Sequence, residues 1–264
     1  MTGWEALVLG LVQGLTEFLP VSSSGHLEIG KALFGQSEED LTFSVVVHGA
    51  TAMSTLFVFR KDIIGLIRGF FLNQTVPLNE ASARSYIAWI VLSAIPAAIV
   101  GLTCRDFLES TFMGHPNRVG AMLLITAAIL LLAQRLSSRS KPLNGWRAAV
   151  VGVAQAFAIL PGISRSGSTI SAALLLGIPR EEAARFSFLM ALPPILGAML
   201  LEMVDLTDTS ALGTSTGTYL IGAAAAFISG TIACKWMIRL VKALNLGVFA
   251  LYCAVAGVCA MVFL

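Results

Sequence analysis

Apolar residues run along this chain in long blocks separated by short polar connections. Residues 41–59, 85–104, 119–134, 186–204, 217–238 and 246–264 each read as a membrane span, close to the roughly 20 apolar residues that cross a bilayer. Two further apolar stretches are broken at their centres. The stretch 4–30 carries Glu17, Pro20, Ser22, Ser23, Ser24, Gly25 and His26. The stretch 146–177 carries Pro161, Gly162, Ser164, Arg165, Ser166, Gly167, Ser168 and Thr169. Broken backbone at membrane depth is tolerated only where protein or a water-filled cavity surrounds it. The pattern therefore predicts an all-α polytopic membrane protein with about six full spans and two re-entrant helical hairpins, forming a single membrane domain over 1–264.

Composition agrees. Of 264 residues, 56% are hydrophobic and 12% charged, against about 25% charged in an average soluble domain. Mean hydropathy is +0.84 and net charge +2. These values exclude a soluble enzyme, a disordered chain and a nucleic-acid binder. Cys104, Cys234, Cys253 and Cys259 match no zinc or redox spacing and read as small apolar residues. The N-terminus has no basic run before its apolar stretch and is not read as a removable signal peptide.

Charge placement sets the orientation. With both termini outside and both broken stretches re-entrant, Arg60, Lys61, Arg68, Arg84, Arg135, Arg139, Lys141, Arg147, Arg180, Arg185, Lys235, Arg239 and Lys242 fall inside. Lys31, Arg105 and Arg118 fall outside, and Arg165 stays within the membrane. This satisfies the positive-inside rule. Reading the hairpins as ordinary spans would spoil it.

The chain also resembles itself. Shifted by 142 residues, it shows twelve identities over positions 3–39, among them Gly3-Trp4 on Gly145-Trp146, Gln13 on Gln155, and Ser22, Ser24 and Gly25 on Ser164, Ser166 and Gly167. Leu33, Gly35 and Glu39 likewise fall on Leu175, Gly177 and Glu181. Repeat one covers about 3–135 and repeat two about 145–264. Three spans separate the hairpins, so the copies enter from opposite faces, as in inverted-topology transporter folds. In such folds the broken elements meet near the midplane, so the Ser-rich tips at 22–26 and 164–169 are expected to converge.

The tips carry phosphate-handling chemistry. Gln13 and Glu17 share a helix face, and a carboxylate at this depth needs a partner. Glu17 reads as a structural ion-pair member, a metal ligand or a general base. The Ser/Gly-rich run around Arg165 opens a helix, where N–H groups and hydroxyls favour an anion. Arg165 adds a permanent charge with a bidentate fork, or serves as counter-ion to Glu17. His26 is a candidate proton-transfer group. A nucleophile, a base and cationic donors are the parts that phosphoryl transfer requires.

Gln13-x-x-x-Glu17, Pro20-Val21-Ser22-Ser23-Ser24-Gly25-His26 and Pro161-Gly162-Ile163-Ser164-Arg165-Ser166-Gly167-Ser168-Thr169 resemble the two signatures of the undecaprenyl-diphosphatase family, linked to bacitracin resistance. The second signature is matched in full. The resemblance implies a phosphatase of the bacterial cytoplasmic (inner) membrane that converts undecaprenyl diphosphate to the monophosphate for reuse in peptidoglycan synthesis. It further implies a divalent cation, Mg²⁺ or Ca²⁺, an active site opening to the outer face, and a tendency to form homodimers. By position, Glu17 matches the essential glutamate, a metal ligand or base, and Gln13 a second metal position at which some members carry Glu. An amide is a neutral ligand and no base, which makes Glu17 more critical here. Ser23 matches the serine proposed as nucleophile, with water as the alternative attacking group. His26 matches the proton-shuttling histidine and Arg165 the phosphate-holding arginine. Ser22, Ser24, Ser164, Ser166 and Thr169 are placed as phosphate-binding hydroxyls. A transporter or flippase of a prenyl phosphate lipid is the rival reading, since broken repeats suit it too; it needs fewer hydroxyls.

Overall fold

A computed structural model describes residues 1–34, 41–75, 81–112, 114–136, 140–207, 215–243 and 245–264. Gly35 and Glu39, two of the repeat identities, and Arg139, one of the inner-face charges, lie outside the described residues. All twelve elements among the described residues are helices: α1 (Gly3–Phe18), α2 (Ser23–Leu33), α3 (Leu41–Val58), α4 (Arg60–Leu72), α5 (Ala83–Thr103), α6 (Arg105–Phe112), α7 (Pro116–Leu136), α8 (Gly145–Phe157), α9 (Arg165–Leu175), α10 (Arg180–Thr207), α11 (Thr216–Ala243) and α12 (Leu246–Phe263).

Five of the six expected spans match single helices, and the sixth, 41–59, matches α3, which runs directly into α4. Among the described residues α5, α7, α10, α11 and α12 are each long and apolar enough to cross a membrane, and the α3–α4 pair, bent by 69°, makes a sixth when taken as one span. The chain is thus a multi-pass membrane protein. The exposed side chains on these helices are large and apolar, Leu251, Val262 and Phe263 among them, as a lipid solvent requires. Two helices fall in connections that the sequence pattern left as loops, α4 and α6. In α4 the cations Arg60, Lys61 and Arg68 mix with Ile64, Ile67, Phe70 and Phe71, the pattern of a helix lying in a membrane interface. The Arg60 guanidinium sits 4.8 Å from the Phe57 ring centroid, and Arg185 of α10 pairs with Asp62 of α4.

The two broken stretches form short antiparallel pairs, α1 against α2 and α8 against α9. With 16 and 13 residues, α1 and α8 reach only about 24 and 20 Å at 1.5 Å per residue, short of a hydrocarbon core of about 30 Å. Each starts on a side-chain cap: Thr2 forms a capping box with Glu5, and Asn144 accepts from the Arg147 N–H.

Each hairpin packs along a helix distant in sequence, α1 on α11 and α8 on α5, while α12 packs on α7 and α3 on α11. Close approach of backbones drives both hairpin contacts. A Cβ at Gly10 would lie 2.4 Å from the Gly222 carbonyl, and one at Gly152 would lie 2.5 Å from the Ser93 carbonyl. Gly10 and Gly152 occupy the same position in the sequence repeat. Without a hydrophobic driving force between helices in lipid, such small-residue contacts are the main source of association. Around the buried end of α1, Phe188 holds Phe18 and Phe59 at ring-centroid separations of 5.8 and 5.9 Å.

Candidate active site

The chain leaves α1 at Leu19 in extended conformation, turns through Pro20, and enters α2 from Ser22, whose φ is 69°. The second tip leaves α8, turns at Gly162 with φ 96°, and enters α9 from Ser164. Only glycine fits at 162, because a Cβ there would sit 2.4 Å from the Val119 carbonyl. The two helix entries repeat one set of hydrogen bonds. Ser22 Oγ accepts from the Gly25 N–H at 3.3 Å and lies 3.4 Å from Ser24 Oγ. Ser164 Oγ accepts from the Gly167 N–H at 3.0 Å and lies 3.3 Å from Ser166 Oγ. The shared Ser-x-Ser-Gly is thus a shared helix cap, which explains why it recurs in both halves.

The tips meet. Ser166 Oγ donates to the Leu19 carbonyl at 3.0 Å. A Cβ on Gly25 would lie 3.2 Å from Gly162 Cα, and one on Gly167 would lie 3.3 Å from Pro20 Cβ. At this junction Arg165 forms an ion pair and hydrogen bond with Glu17 Oε1, joining residues 148 apart in sequence. Ser23 Oγ donates to Glu17 Oε2 at 2.6 Å, and Gln13 Nε2 donates to the same oxygen at 3.1 Å. Glu17 is buried, with a side-chain exposure of 8%. Its carboxylate therefore collects a guanidinium, a hydroxyl and an amide. Ser23 is oriented as a hydroxyl whose proton faces a carboxylate, the geometry of a nucleophile beside its base.

His26 is arranged differently. Its Nδ1 lies 2.8 Å from the Ser22 carbonyl and its Nε2 2.7 Å from the Tyr252 hydroxyl. Thr169 faces away from the junction: its hydroxyl donates to the Arg165 carbonyl at 2.8 Å and lies 2.5 Å from Ser187 Oγ. It braces the first turn of α9 against α10. Glu28, on the rim, pairs with Lys31 at 3.1 Å.

Several participants carry no sequence signal. Thr126 of α7 accepts from the Ser164 N–H and donates to the Gly162 carbonyl, both at 3.0 Å, and so sets the second turn. Tyr252 lies in the most apolar helix of the chain. These residues belong to helices that only folding brings to the tips.

Among the described residues no three His, Cys, Asp or Glu side chains gather into a metal centre. The oxygen donors at this junction are the Glu17 carboxylate and the Gln13 amide. Gln13 Oε1 is buried without a hydrogen-bond partner, and a buried unpaired carbonyl oxygen calls for a donor or a cation. Mg²⁺ and Ca²⁺ take oxygen ligands, and Mg²⁺ is held by as little as one carboxylate together with substrate phosphates. Gln13 and Glu17 fit that donor set.

Comparison with known proteins places the chain in a family. A model of the family described as bacitracin resistance protein BacA matches residues 6–259. The chain is 47% identical over 263 residues to an undecaprenyl-diphosphatase of Christiangramia forsetii, covering 98% of this chain and 97% of that protein. It is 46% identical over 271 residues to an undecaprenyl-diphosphatase of Bacteroides thetaiotaomicron, with 99% of each covered. It is 39% identical over 261 residues to undecaprenyl-diphosphatase 1 of Bacillus cereus, covering 98% and 96%. With a carboxylate, a serine and an arginine joined across two helix entries, and a match over nearly its whole length, the chain belongs to the bacitracin resistance protein BacA family.

Proposed function

We propose that this protein is a membrane phosphatase that hydrolyses undecaprenyl diphosphate to undecaprenyl phosphate and inorganic phosphate, returning the carrier lipid to peptidoglycan synthesis. The observation that carries the reading is the Ser23–Glu17–Arg165 arrangement, in which a serine hydroxyl, a carboxylate and a guanidinium converge from two hairpins. Ser23 Oγ attacks the terminal phosphorus as Glu17 takes its proton. The bridging P–O bond breaks and undecaprenyl phosphate departs. Water then attacks the phosphoserine phosphorus, its proton passing to His26, while Glu17 returns its proton to Ser23 Oγ as the serine P–O bond breaks and inorganic phosphate leaves. Arg165 turns its fork from Glu17 to the phosphate oxygens, where a bidentate contact holds developing charge. The N-terminal ends of α2 and α9 add their positive dipole ends. Ser22, Ser24, Ser164 and Ser166 line the same entries, and Thr169 supports Arg165 through its backbone.

Gln13 Oε1 and Glu17 would hold a divalent cation, Mg²⁺ or Ca²⁺, which would neutralise phosphate charge. The membrane placement in this reading has both termini outside, the inner membrane as location and a site open to the outer face. It is supported by the basic residues, thirteen on the inner side against three outside. The inverted repeat is supported by the like caps at Ser22 and Ser164 and the like close approaches at Gly10 and Gly152. Self-association as a homodimer belongs to the reading through the resemblance alone.

The test is phosphate release from undecaprenyl diphosphate by the purified protein in detergent, with and without EDTA. Release that EDTA abolishes and Mg²⁺ or Ca²⁺ restores is expected. No release in the presence of cation overturns the phosphatase and leaves a carrier of prenyl phosphates as the reading. Full release in EDTA overturns the cation.

A further inference from the structure

His26 has both ring nitrogens engaged, and its two partners differ in what they can do. Nδ1 faces the Ser22 carbonyl at 2.8 Å, and a carbonyl only accepts, so Nδ1 carries a proton. In the neutral ring Nε2 then holds the lone pair, and the hydroxyl 2.7 Å away on Tyr252 is its donor. The rings stack, with centroids 5.5 Å apart and planes 9° from parallel. The helix bearing Tyr252 is anchored at the same depth, where Cys253 Sγ donates to the Pro20 carbonyl at 3.6 Å. Ser22, the residue facing Nδ1, is the one with φ 69°, and its carbonyl also accepts the His26 backbone N–H at 3.2 Å. The turn and α12 together clamp the imidazole from both sides.

We propose that Tyr252 is a positioning residue for the reaction. It holds His26 as the Nδ1–H tautomer and passes protons to and from Nε2. A phenol both donates and accepts, so one hydroxyl serves both ring states. It donates to the neutral ring. When the phenol hands its proton to Nε2, its oxygen takes one from a solvent water and then accepts from the new Nε2–H. A substituent without the hydroxyl keeps the stacking and loses this exchange. Tyr252 therefore acts through His26, and Ser23 is left to Glu17, which its hydroxyl already faces. The kinetic part of the proposal rests on the diphosphatase reading, whereas the tautomer part does not.

The experiment combines ¹⁵N spectra of histidine-labelled protein in detergent with kinetics. The chain has three histidines, so His26→Ala assigns the resonances. In the substrate-free wild type His26 is expected as Nδ1–H, with the Nε2 resonance moving in Tyr252→Phe. On undecaprenyl diphosphate, Tyr252→Phe is expected to lower kcat about tenfold, the size of one hydrogen bond, with KM within about twofold. In a His26→Ala background the same substitution is expected to cost nothing further. An Nε2–H tautomer in the wild type, wild-type kcat in Tyr252→Phe, or an equal loss in the His26→Ala background each overturns the proposal. A wild type that releases no phosphate overturns the diphosphatase reading and leaves the tautomer result to decide the His26–Tyr252 geometry.

Discussion

Glu17 accepts from Arg165, Ser23 and Gln13 at once, and each partner answers a different substitution. Ser23→Ala removes the attacking hydroxyl but no charge. Activity should fall about a hundredfold or more, the scale of a lost nucleophile–base pair, with the melting temperature unchanged; a substantial residual rate would give the attack to water. Glu17→Gln leaves the Arg165 guanidinium largely buried without a counter-charge. Breaking such a pair costs about 3 kcal/mol, so this variant should melt earlier as well as lose turnover. Arg165→Lys keeps the charge and loses the planar fork, so kcat/KM should drop at least about tenfold. Wild-type kinetics there would remove Arg165 as a phosphate clamp. Glu17, Ser23 and Arg165 were all legible in sequence, because charge and hydroxyl density inside an apolar block is conspicuous. The pairing of Glu17 with Arg165 was legible too, but the link from Ser23 to Glu17 was not. Nothing in the residue order says that Ser23 faces Glu17 while His26 faces Tyr252.

At the scale of elements, the hairpins are short helices held by backbone proximity rather than by large side chains. Gly10→Ala would place its Cβ 2.4 Å from the Gly222 carbonyl, forcing α1 from α11. Gly162→Ala meets both a φ of 96° and the Val119 carbonyl. Each should destabilise the protein by about 1–3 kcal/mol, read as a lower melting temperature in detergent. Gly65→Ala in α4 meets nothing within 4 Å and should leave melting unchanged or raise it slightly, since alanine favours helix by up to about 1 kcal/mol. Equal effects at Gly10 and Gly65, both inside helices, would mean that helix propensity, not close approach, governs the change. The hairpins were visible in sequence because Pro, Gly and Ser interrupt apolar runs. Helix α4 was not, because four cations between residues 60 and 84 resemble a solvated loop until Phe70 and Phe71 are seen on a helix, and α6 was not, because its eight residues include Arg105, Asp106 and Glu109 and read as a polar connection.

At the scale of the whole molecule, the distribution of cations makes a directional claim. In intact cells expressing an otherwise cysteine-free chain, a cysteine placed at Ser140 should resist an impermeant thiol reagent, and one placed at His115 should react. The opposite pattern would invert the topology and turn the site toward the cytoplasm. Both positions are exposed, so burial does not confound the readout. The long-range pairings α1–α11 and α8–α5 link the halves, so each hairpin is completed by a helix from the other half.

Local order along the chain sufficed for whatever depends on transfer into lipid. Apolar blocks mark spans because backbone in hydrocarbon must be helical, interrupted blocks mark hairpins, and a buried Glu17 and Arg165 demand each other. The shared Ser-x-Ser-Gly was visible as well, but its capping role came only with the hydrogen bonds of Ser22 and Ser164. Contacts across the fold decided the remainder. Only packing brings Thr126 under Ser164, Ser187 to Thr169 and Tyr252 onto His26, for these pairs belong to separate helices. The spacing of residues along one helix carries no record of which neighbour will meet it.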